Sequence, residues 1–287
     1  MSQVQRYAAF TTDPAGGNPA GVVLDADDLG ESDMQRIATE VGYSETAFVL
    51  RAGQTGNDLG LRFFSPLAEV AFCGHATIAT SVALVASGAQ GPFRFATEAG
   101  PVTVATTREA GAVQAQLRSV PGHSVPVSPG VLLEALAALG WPVDDLDPDY
   151  PPHVAFAGND HLVVATRTRE RLAALDYDVS RLREICEREG WTTLQLFWPE
   201  DESTIHARNP FPVGGVVEDP ATGAAAAALG AYLRETGRVP EPRVVTILQG
   251  VDMGRPSTLT MAMDPDDPTI TVSGTAVPIP DTGSSPR

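Results

Sequence analysis

Apolar residues at helical spacing predict two amphipathic helices in this chain. Between Ser32 and Gly42 the sequence SDMQRIATEVG places its apolar positions three and four residues apart, and Ser32 with Gln35 has the spacing of a capping box. Gly42 follows the last apolar position, where glycine commonly ends a helix. A similar pattern recurs over Ser180–Glu189. We therefore predict an amphipathic helix at both places.

Two further helices are apolar on every side. Residues Gly74–Ala86 and Thr222–Glu235 consist mainly of small apolar side chains, which is typical of helices buried inside a fold. A fifth helix is predicted after Ser128, with Pro129 in its first turn and Gly140 as its stop.

Most of the remaining chain is predicted to form strands. A polar, proline-rich stretch from Pro121 to Pro129 is expected to be a crossover between two halves. Regular alternation of strands and helices is missing, which favours an α+β fold over a Rossmann fold. The predicted strands are residues 4–10, 20–25, 45–50, 60–65, 93–97, 101–107, 112–118, 153–157, 161–166, 193–198, 203–208, 243–250, 257–263 and 269–273, the last leading to 274–279.

The order of these elements indicates an internal duplication. Residues 32–48 resemble residues 180–196, which lie 148 positions later, and at the same offset Cys73-Gly74-His75 corresponds to Ala221-Thr222-Gly223. We predict two pseudo-symmetric domains, each a curved, mostly antiparallel sheet around a central buried helix. The first would comprise residues 1–122, with 275–287 returning to it, and the second residues 123–274. A duplicated fold of this kind is expected to place its active site between the halves.

Composition excludes several classes of function. The chain has 36 acidic and 19 basic residues, a net charge of −17, which argues against nucleic acid and anionic membranes as partners. Every basic residue is arginine, so lysine-dependent chemistry such as Schiff-base formation or a P-loop is excluded. The five histidines have no metal-ligand spacing, and we predict neither a metal nor a cofactor. The N-terminal residues do not resemble a signal peptide and no apolar run could span a membrane, so we expect a cytoplasmic protein.

The N-termini of the two buried helices are candidate binding sites for an anionic group. A helix N-terminus offers backbone N–H groups and the positive end of the helix dipole, which suits a carboxylate. His75 and Asp219 lie at these two entrances and could serve proton transfer or orient a substrate. Ordinary helix capping and a structural histidine are the alternatives.

Four other residues are candidates for catalysis or substrate binding. Glu45 is replaced by Thr193 in the second copy, which suggests a single base, although an ordinary glutamate at a strand end is the alternative. Cys73 could be a thiolate at its helix N-terminus, but its second-copy position is alanine and packing is favoured. Arg62 and Arg208 could bind a substrate carboxylate, but we expect them to pair with acidic side chains.

At these residues the chain resembles the PhzF-like isomerases of phenazine biosynthesis, which have a diaminopimelate epimerase-like fold. The resemblance lies in ordered motifs spread over nearly the whole chain: Phe10 through GGNPAGVV, SETAFV, FSPLAEVAFCGHAT, EDPATG and QGVDMGRPS. It implies cofactor-free isomerisation of a small anionic metabolite and a homodimer as the usual assembly.

The resemblance also implies roles for particular residues. Glu45 would move a proton between carbon atoms of a carboxylate-bearing substrate, with His75 and Asp219 as its catalytic partners. Substrate contacts are expected from Asn18, Gly74, Thr222, Gly223 and Ala224.

One position departs from the family pattern. The family often has serine directly after EDPATG, where this chain has Ala224, which puts the phenazine precursor in doubt as the substrate. Two other hypotheses remain at this point. One is a racemase or epimerase that uses Cys73, and the other is a non-catalytic binding or scaffold protein with the same fold.

Overall fold

A computed structural model describes residues 3–51, 57–109 and 111–280. The elements up to residue 118 are β1 Gln5–Ala9, β2 Asn18–Val23, α1 Glu31–Val41, β3 Glu45–Leu50, β4 Asp58–Phe64, β5 Glu69–Val70, α2 Gly74–Ala86, β6 Phe93–Thr97, β7 Gly100–Glu109 and β8 Ala112–Arg118. The later elements are β9 His123–Pro126, α3 Pro129–Leu139, β10 His153–Phe156, β11 Asp160–Ala165, α4 Arg169–Ala173, α5 Val179–Glu189, β12 Trp191–Pro199, β13 Thr204–Pro210, β14 Glu218–Asp219, α6 Gly223–Glu235, β15 Arg243–Gln249, β16 Ser257–Asp264, β17 Asp267–Gly274 and β18 Ala276–Pro278.

Contacts divide the chain into two units. Unit 1 contains the chain up to Leu117 together with the residues from Ser273 onward, and unit 2 contains Arg118–Val272. The part of the predicted C-terminal return that is described includes β18, which pairs with β1. The rest of that predicted segment, residues 281–287, lies outside the described residues.

Unit 1 is a mixed sheet with a helix on each face. Its strands pair in the order β18-β1-β2-β3-β4-β6-β7-β8, and β5 adds to β4. The β2–β3 and β4–β6 pairs are parallel, whereas the others are antiparallel. Helix α1 covers one face through Met34, Ile37 and Ala38, which pack with Phe48 and Phe64. Helix α2 is buried from His75 to Leu84.

Unit 2 repeats this pairing order. Its strands pair as β9-β10-β11-β12-β13-β15-β16, with β14 added to β13, and the parallel pairs β11–β12 and β13–β15 occupy the corresponding places. Helices α3 and α5 pack on one face of the sheet, and α6 is the buried helix. The predicted α+β fold, with a mostly antiparallel sheet around a buried helix in each half, is confirmed.

Register between parallel strands confirms most of the repeat and corrects one part of it. Ala20 is the partner of Glu45 in the β2–β3 pair, and His161 is the partner of Thr193 in the β11–β12 pair, so Thr193 does correspond to Glu45. However, α2 begins at Gly74 and α6 at Gly223, one position away from the predicted offset of 148. A helix start is set by backbone conformation, so the two glycines are equivalent.

This shift changes the partners of two candidate residues. The residue before each helix is its N-cap, which makes Cys73 equivalent to Thr222. His75, the second residue of α2, is equivalent to Ala224 in α6. The predicted equivalences of Cys73 with Ala221 and of His75 with Gly223 are therefore wrong.

The predicted N-cap of α1 is also wrong. Helix α1 is capped by Gly30, two residues before the predicted Ser32, and the N-cap of α5 is Asp178. Asp178 Oδ1 accepts from Arg181 N–H at 3.0 Å, as a capping carboxylate does. Gln35, predicted to complete a capping box, donates instead to Ser65 O at 2.8 Å. The left-handed stops at Gly42, Gly140 and Gly190 have the conformation expected of C-terminal glycines.

Part of the predicted crossover is a strand. His123–Pro126 forms β9, whose described partner is β10. Its proline stands at the strand end, where the missing N–H does not interrupt the ladder.

Candidate functional site

Three side chains of unit 1 with proton-transfer or metal-binding chemistry meet at the start of α2. His75 Nε2 lies 3.5 Å from Glu45 Oε2, and His75 Nδ1 lies 3.3 Å from Cys73 Sγ. Ser44 Oγ is also 3.5 Å from His75 Nε2. The side chains of His75 and Glu45 are only 7% and 15% exposed, and Cys73 is buried. The structure thus brings together two predicted catalytic residues, Glu45 and His75.

Strand alternation explains the direction of Glu45. Phe48 packs with α1 on one face of the sheet, so residues an odd number of positions away point to the opposite face. Glu45 is the first residue of β3 and belongs to that opposite face. Its carboxylate therefore lies beside the N-terminal start of α2 and not in the apolar cluster around α1.

The loop before β2 has a conformation that depends on its sequence. Gly17 has φ of 64°, and a Cβ placed there would lie 2.4 Å from a carbonyl oxygen of β1, so only glycine fits. Phe10 has φ of 62° and is the only non-glycine residue with positive φ in the described parts of the chain. Asn18, a predicted substrate contact, begins β2 and is buried, two residues before the partner of Glu45.

The first turn of α2 suits a negatively charged group. Cys73 is the extended N-cap, and its carbonyl accepts from both N–H and Oγ1 of Thr77 at 3.1 and 2.7 Å. The first N–H groups of any α-helix have no partner within the helix, and they carry the positive end of its dipole. At Gly74 the nearest atom to an added Cβ would be 4.0 Å away, so the backbone there is not crowded.

In unit 2, Asp219 is bound to the start of α6. Thr222 Oγ1 donates to Asp219 Oδ2 at 2.6 Å, and Thr222 is the N-cap of that helix. Gln249 connects both residues, since its Nε2 donates to Asp219 O at 2.8 Å and its Oε1 accepts from Thr222 N–H at 3.3 Å. Asp219 and Gln249 are both buried.

Gln249 is a residue that the sequence reasoning did not select. It belongs to the QGVDMGRPS motif, and the following Gly250 has φ of 72°. A Cβ on Gly250 would lie 2.3 Å from Arg255 O and 2.8 Å from Pro220 O. The motif therefore fixes the backbone against the EDPATG segment. The only signal in the sequence was a Gln-Gly pair at the start of a family motif.

The remaining predicted substrate contacts lie in the first turn of α6. Gly223 is the first residue of α6 and Ala224 the second. Since Ala224 takes the place that His75 has in α2, the second unit has no imidazole at this position.

Unit 2 places a chain of uncharged polar side chains around the position equivalent to Glu45. His161 Nδ1 is 2.8 Å from Thr193 Oγ1, whose own hydrogen goes to Asn209 Oδ1 at 2.9 Å, so His161 Nδ1 is the donor. Asn209 Nδ2 donates to Gln195 Oε1 at 2.8 Å. All four residues are fully buried, and burial lowers the pKa of His161 to about 4. Thr193 therefore participates in a neutral network, unlike Glu45.

Arg62 and Arg208 form ion pairs, as expected. Arg62 Nε donates to Glu69 at 2.6 Å, and Arg208 Nε donates to Glu218 at 2.9 Å. In both units the pair connects the strand before the buried helix to the two-residue strand that leads into it. These arginines stabilise the repeated framework.

Within the described residues, one trio could hold a metal ion. Glu45, Cys73 and His75 each offer one ligand atom, and these atoms lie within 4.8 Å of one another.

In the part of the chain that the structure describes, we find no helix with the length and hydropathy of a membrane span.

Comparison with known proteins places this architecture in a family. Residues 7–282 match the PhzC-PhzF family, described as phenazine biosynthesis-like protein. The trans-2,3-dihydro-3-hydroxyanthranilate isomerase of Pseudomonas aeruginosa is 35% identical over 251 residues, which cover 87% of this chain and 86% of that protein. The protein named uncharacterized isomerase YfhB of Bacillus subtilis is 31% identical over 270 residues, covering 92% of this chain and 91% of its relative.

A solved structure gives the same assignment. The PhzF-family phenazine biosynthesis protein of Bacillus anthracis matches with a TM-score of 0.86 and 28% identity, covering 96% of each chain. Fold, family motifs and relatives named as isomerases agree, and the chain belongs to the PhzF family of isomerases.

Proposed function

We propose that this isomerase moves a proton between carbon atoms of a small carboxylate-bearing metabolite, with Glu45 acting first as base and then as acid. The observation that carries the proposal is the meeting of Glu45 with His75 at the start of α2, 3.5 Å apart. The name of the Pseudomonas aeruginosa relative describes an isomerase that acts on an anthranilate-type acid, which supports this class of substrate.

The chemistry needs only groups that the chain supplies. Glu45 takes a proton from an acidic C–H of the substrate, and the electron pair spreads into the neighbouring double bond and acid group as a dienolate. Glu45 then returns a proton to a different carbon, so the sum of atoms is unchanged. The N–H groups at the start of α2 stabilise the negative charge of this intermediate. Fixed dipoles lower a reaction barrier most when they point at the atoms where charge develops.

His75 would position the Glu45 carboxylate and hydrogen-bond to the substrate. Its Nδ1 side faces Cys73 and its Nε2 side faces both Glu45 and Ser44, so the ring is held between two polar groups. The catalytic role of Asp219 and the substrate contacts of Asn18, Gly74, Thr222, Gly223 and Ala224 stay predictions from the resemblance, as does the homodimer.

Ala224 bears on the choice of substrate. A methyl group stands where the family often has a hydroxyl, so a polar substrate group at this place would lose a hydrogen-bond partner, which weakens its binding. We therefore propose a substrate less polar than trans-2,3-dihydro-3-hydroxyanthranilate. If so, wild-type enzyme converts that compound poorly, and Ala224→Ser improves the conversion.

The decisive experiment compares Glu45→Gln with Glu40→Gln in D2O. Both changes remove one carboxylate, but Glu40 is an exposed residue of α1 that pairs with Arg36. Purified enzyme is incubated with trans-2,3-dihydro-3-hydroxyanthranilate and, separately, with a polar bacterial metabolite extract, and mass spectrometry follows isomer conversion and deuterium incorporation. General acid/base catalysis contributes about 10²–10⁴-fold, so Glu45→Gln should lose at least that much and Glu40→Gln almost nothing. Conversion that survives Glu45→Gln would contradict the proposal.

A second candidate uses the thiol. Cys73 Sγ lies 3.3 Å from His75 Nδ1, which is a suitable distance for a histidine that removes the thiol proton. A racemase or epimerase based on Cys73 would be inactivated by alkylation of Cys73 and abolished by Cys73→Ser. Full activity in Cys73→Ser would exclude it.

A further inference from the structure

We propose that Glu45, Cys73 and His75 form a binding site for a thiophilic divalent cation of the Zn²⁺ type, and that the bound ion withdraws Glu45 from catalysis. The ligand set is the first reason. A thiolate, an imidazole and a carboxylate are the three side-chain groups that bind Zn²⁺ in proteins, and three protein ligands with one open position are a common arrangement.

The distances are the second reason. Bonds of about 2.0–2.3 Å to a tetrahedral ion put its ligand atoms about 3.3–3.8 Å apart. His75 Nε2 lies 3.5 Å from Glu45 Oε2 and 3.9 Å from Cys73 Sγ. The three ligand atoms all fall within 4.8 Å of one another, so small side-chain rotations suffice to close the site.

Charge and burial are the third reason. With Cys73 as thiolate and Glu45 as carboxylate, the trio carries two negative charges, which balance a divalent ion. All three residues are partly or largely shielded from water, which strengthens the attraction between ion and ligands.

Binding has a defined proton balance. The ion replaces the thiol proton of Cys73, which is released to solvent, and uses lone pairs of His75 and Glu45. Affinity should therefore rise with pH. Metal binding follows from this geometry alone, and only its effect on catalysis rests on the proposed function.

The test uses Co²⁺ and Zn²⁺ on untagged full-length protein. Co²⁺ bound by a thiolate gives a sulfur-to-metal charge-transfer absorption band. This band therefore reports coordination by Cys73 directly. We expect one equivalent of Co²⁺ per chain, a band that Zn²⁺ displaces, and loss of the band in Cys73→Ser. Cys186→Ser is the matched control, because Cys186 is fully buried in α5 and burial raises the pKa of its thiol to about 12. That control should retain the band.

His75→Gln tests the site without removing the thiol. Loss of a residue that merely supports a ligand costs about 10–100-fold in affinity, so loss of His75 should weaken Zn²⁺ binding by at least about tenfold in calorimetry. Circular dichroism and urea unfolding establish that each variant is folded.

Each outcome decides the inference. No stoichiometric Co²⁺ binding, a band unchanged in Cys73→Ser, or a band lost in Cys186→Ser would overturn it. If Zn²⁺ binds through Cys73 while activity survives Glu45→Gln, the proposed function fails and the metal site stands. If activity depends on Glu45 and no metal binds, this inference alone fails.

Discussion

Units 1 and 2 have the same strand order and the same buried helix, yet they place different side chains at equivalent positions. In unit 1, Glu45 and His75 lie 3.5 Å apart at a helix start. In unit 2, the equivalent residues are Thr193 and Ala224, and Thr193 belongs to a buried network without charged groups. The comparison teaches that strand order and helix placement do not determine which catalytic groups are present. Those groups depend on a few substitutions at the first residues of β3 and α2.

The ion pairs show a second kind of difference, in burial. Arg62 and Glu69 have side chains that are 30% and 25% exposed, whereas those of Arg208 and Glu218 are 9% and 5% exposed. Arg208 also donates to Ala173 O, at the end of α4, at 2.7 Å. The arginine–glutamate pair of unit 2 is therefore much less exposed to solvent than the equivalent pair of unit 1.

The largest expected effect comes from breaking these pairs. Arg208→Ala leaves the Glu218 carboxylate buried without its cation and should lower the free energy of unfolding by about 3–5 kcal/mol. Arg62→Ala removes a partly exposed pair and should cost about 1 kcal/mol or less. Urea unfolding of both variants measures the difference. Equal losses would mean that the two pairs are not distinguished by burial.

A smaller effect is expected at the last residue of the strand after each buried helix. In unit 2 this residue is Gln249, which bonds to Asp219 and Thr222, and in unit 1 it is Thr97, which donates to Gly100 O at 2.7 Å. Gln249→Met leaves buried backbone groups without partners, at a cost of about 1–3 kcal/mol.

The matched control is Thr97→Val, which removes one partly exposed hydrogen bond and should cost about 1 kcal/mol or less. Thermal unfolding compares the two. If Gln249→Met is as mild as Thr97→Val, the glutamine does not hold the start of α6.

Local patterns were sufficient to predict most elements. Strands β3, β6 and β8 and helix α2 have the predicted bounds, because alternation and an all-apolar helix are properties of neighbouring residues. The direction of Glu45 follows from the same alternation. Motif order was enough to predict the family.

What the sequence did not reveal depends on distant partners. The two-residue strands β5 and β14 exist only through pairing with β4 and β13, so no periodicity announces them. Gln249 acquires its role from residues about 30 positions away. The equivalence of Cys73 with Thr222 was missed because it depends on where the helices begin in space rather than on residue similarity.

The smallest expected effect is the pH dependence of stability that comes from one histidine of unit 2. His161 is fully buried, and its Nδ1–H donates to Thr193; its equivalent in unit 1 is Ala20. Burial lowers the pKa of His161 to about 4, whereas an unfolded histidine titrates near 6.5. Above pH 6.5 the residue is neutral in both states and contributes no pH dependence. Between pH 6.5 and about 4 the unfolded chain takes up a proton that the native protein refuses, so stability falls as pH falls.

The slope due to one such group is at most about 1.4 kcal/mol per pH unit. Urea unfolding at pH 7.5, 6 and 5 measures it as the difference between wild type and His161→Leu, with His123→Gln, a change at an exposed histidine, as the control. His161→Leu should be less stable than wild type at pH 7.5 because Thr193 loses its donor, and that deficit should shrink towards pH 5. A deficit that stays constant over this range would mean that the native protein protonates His161 at the same pH as the unfolded chain, and the network around Thr193 would then carry a charge at pH 5.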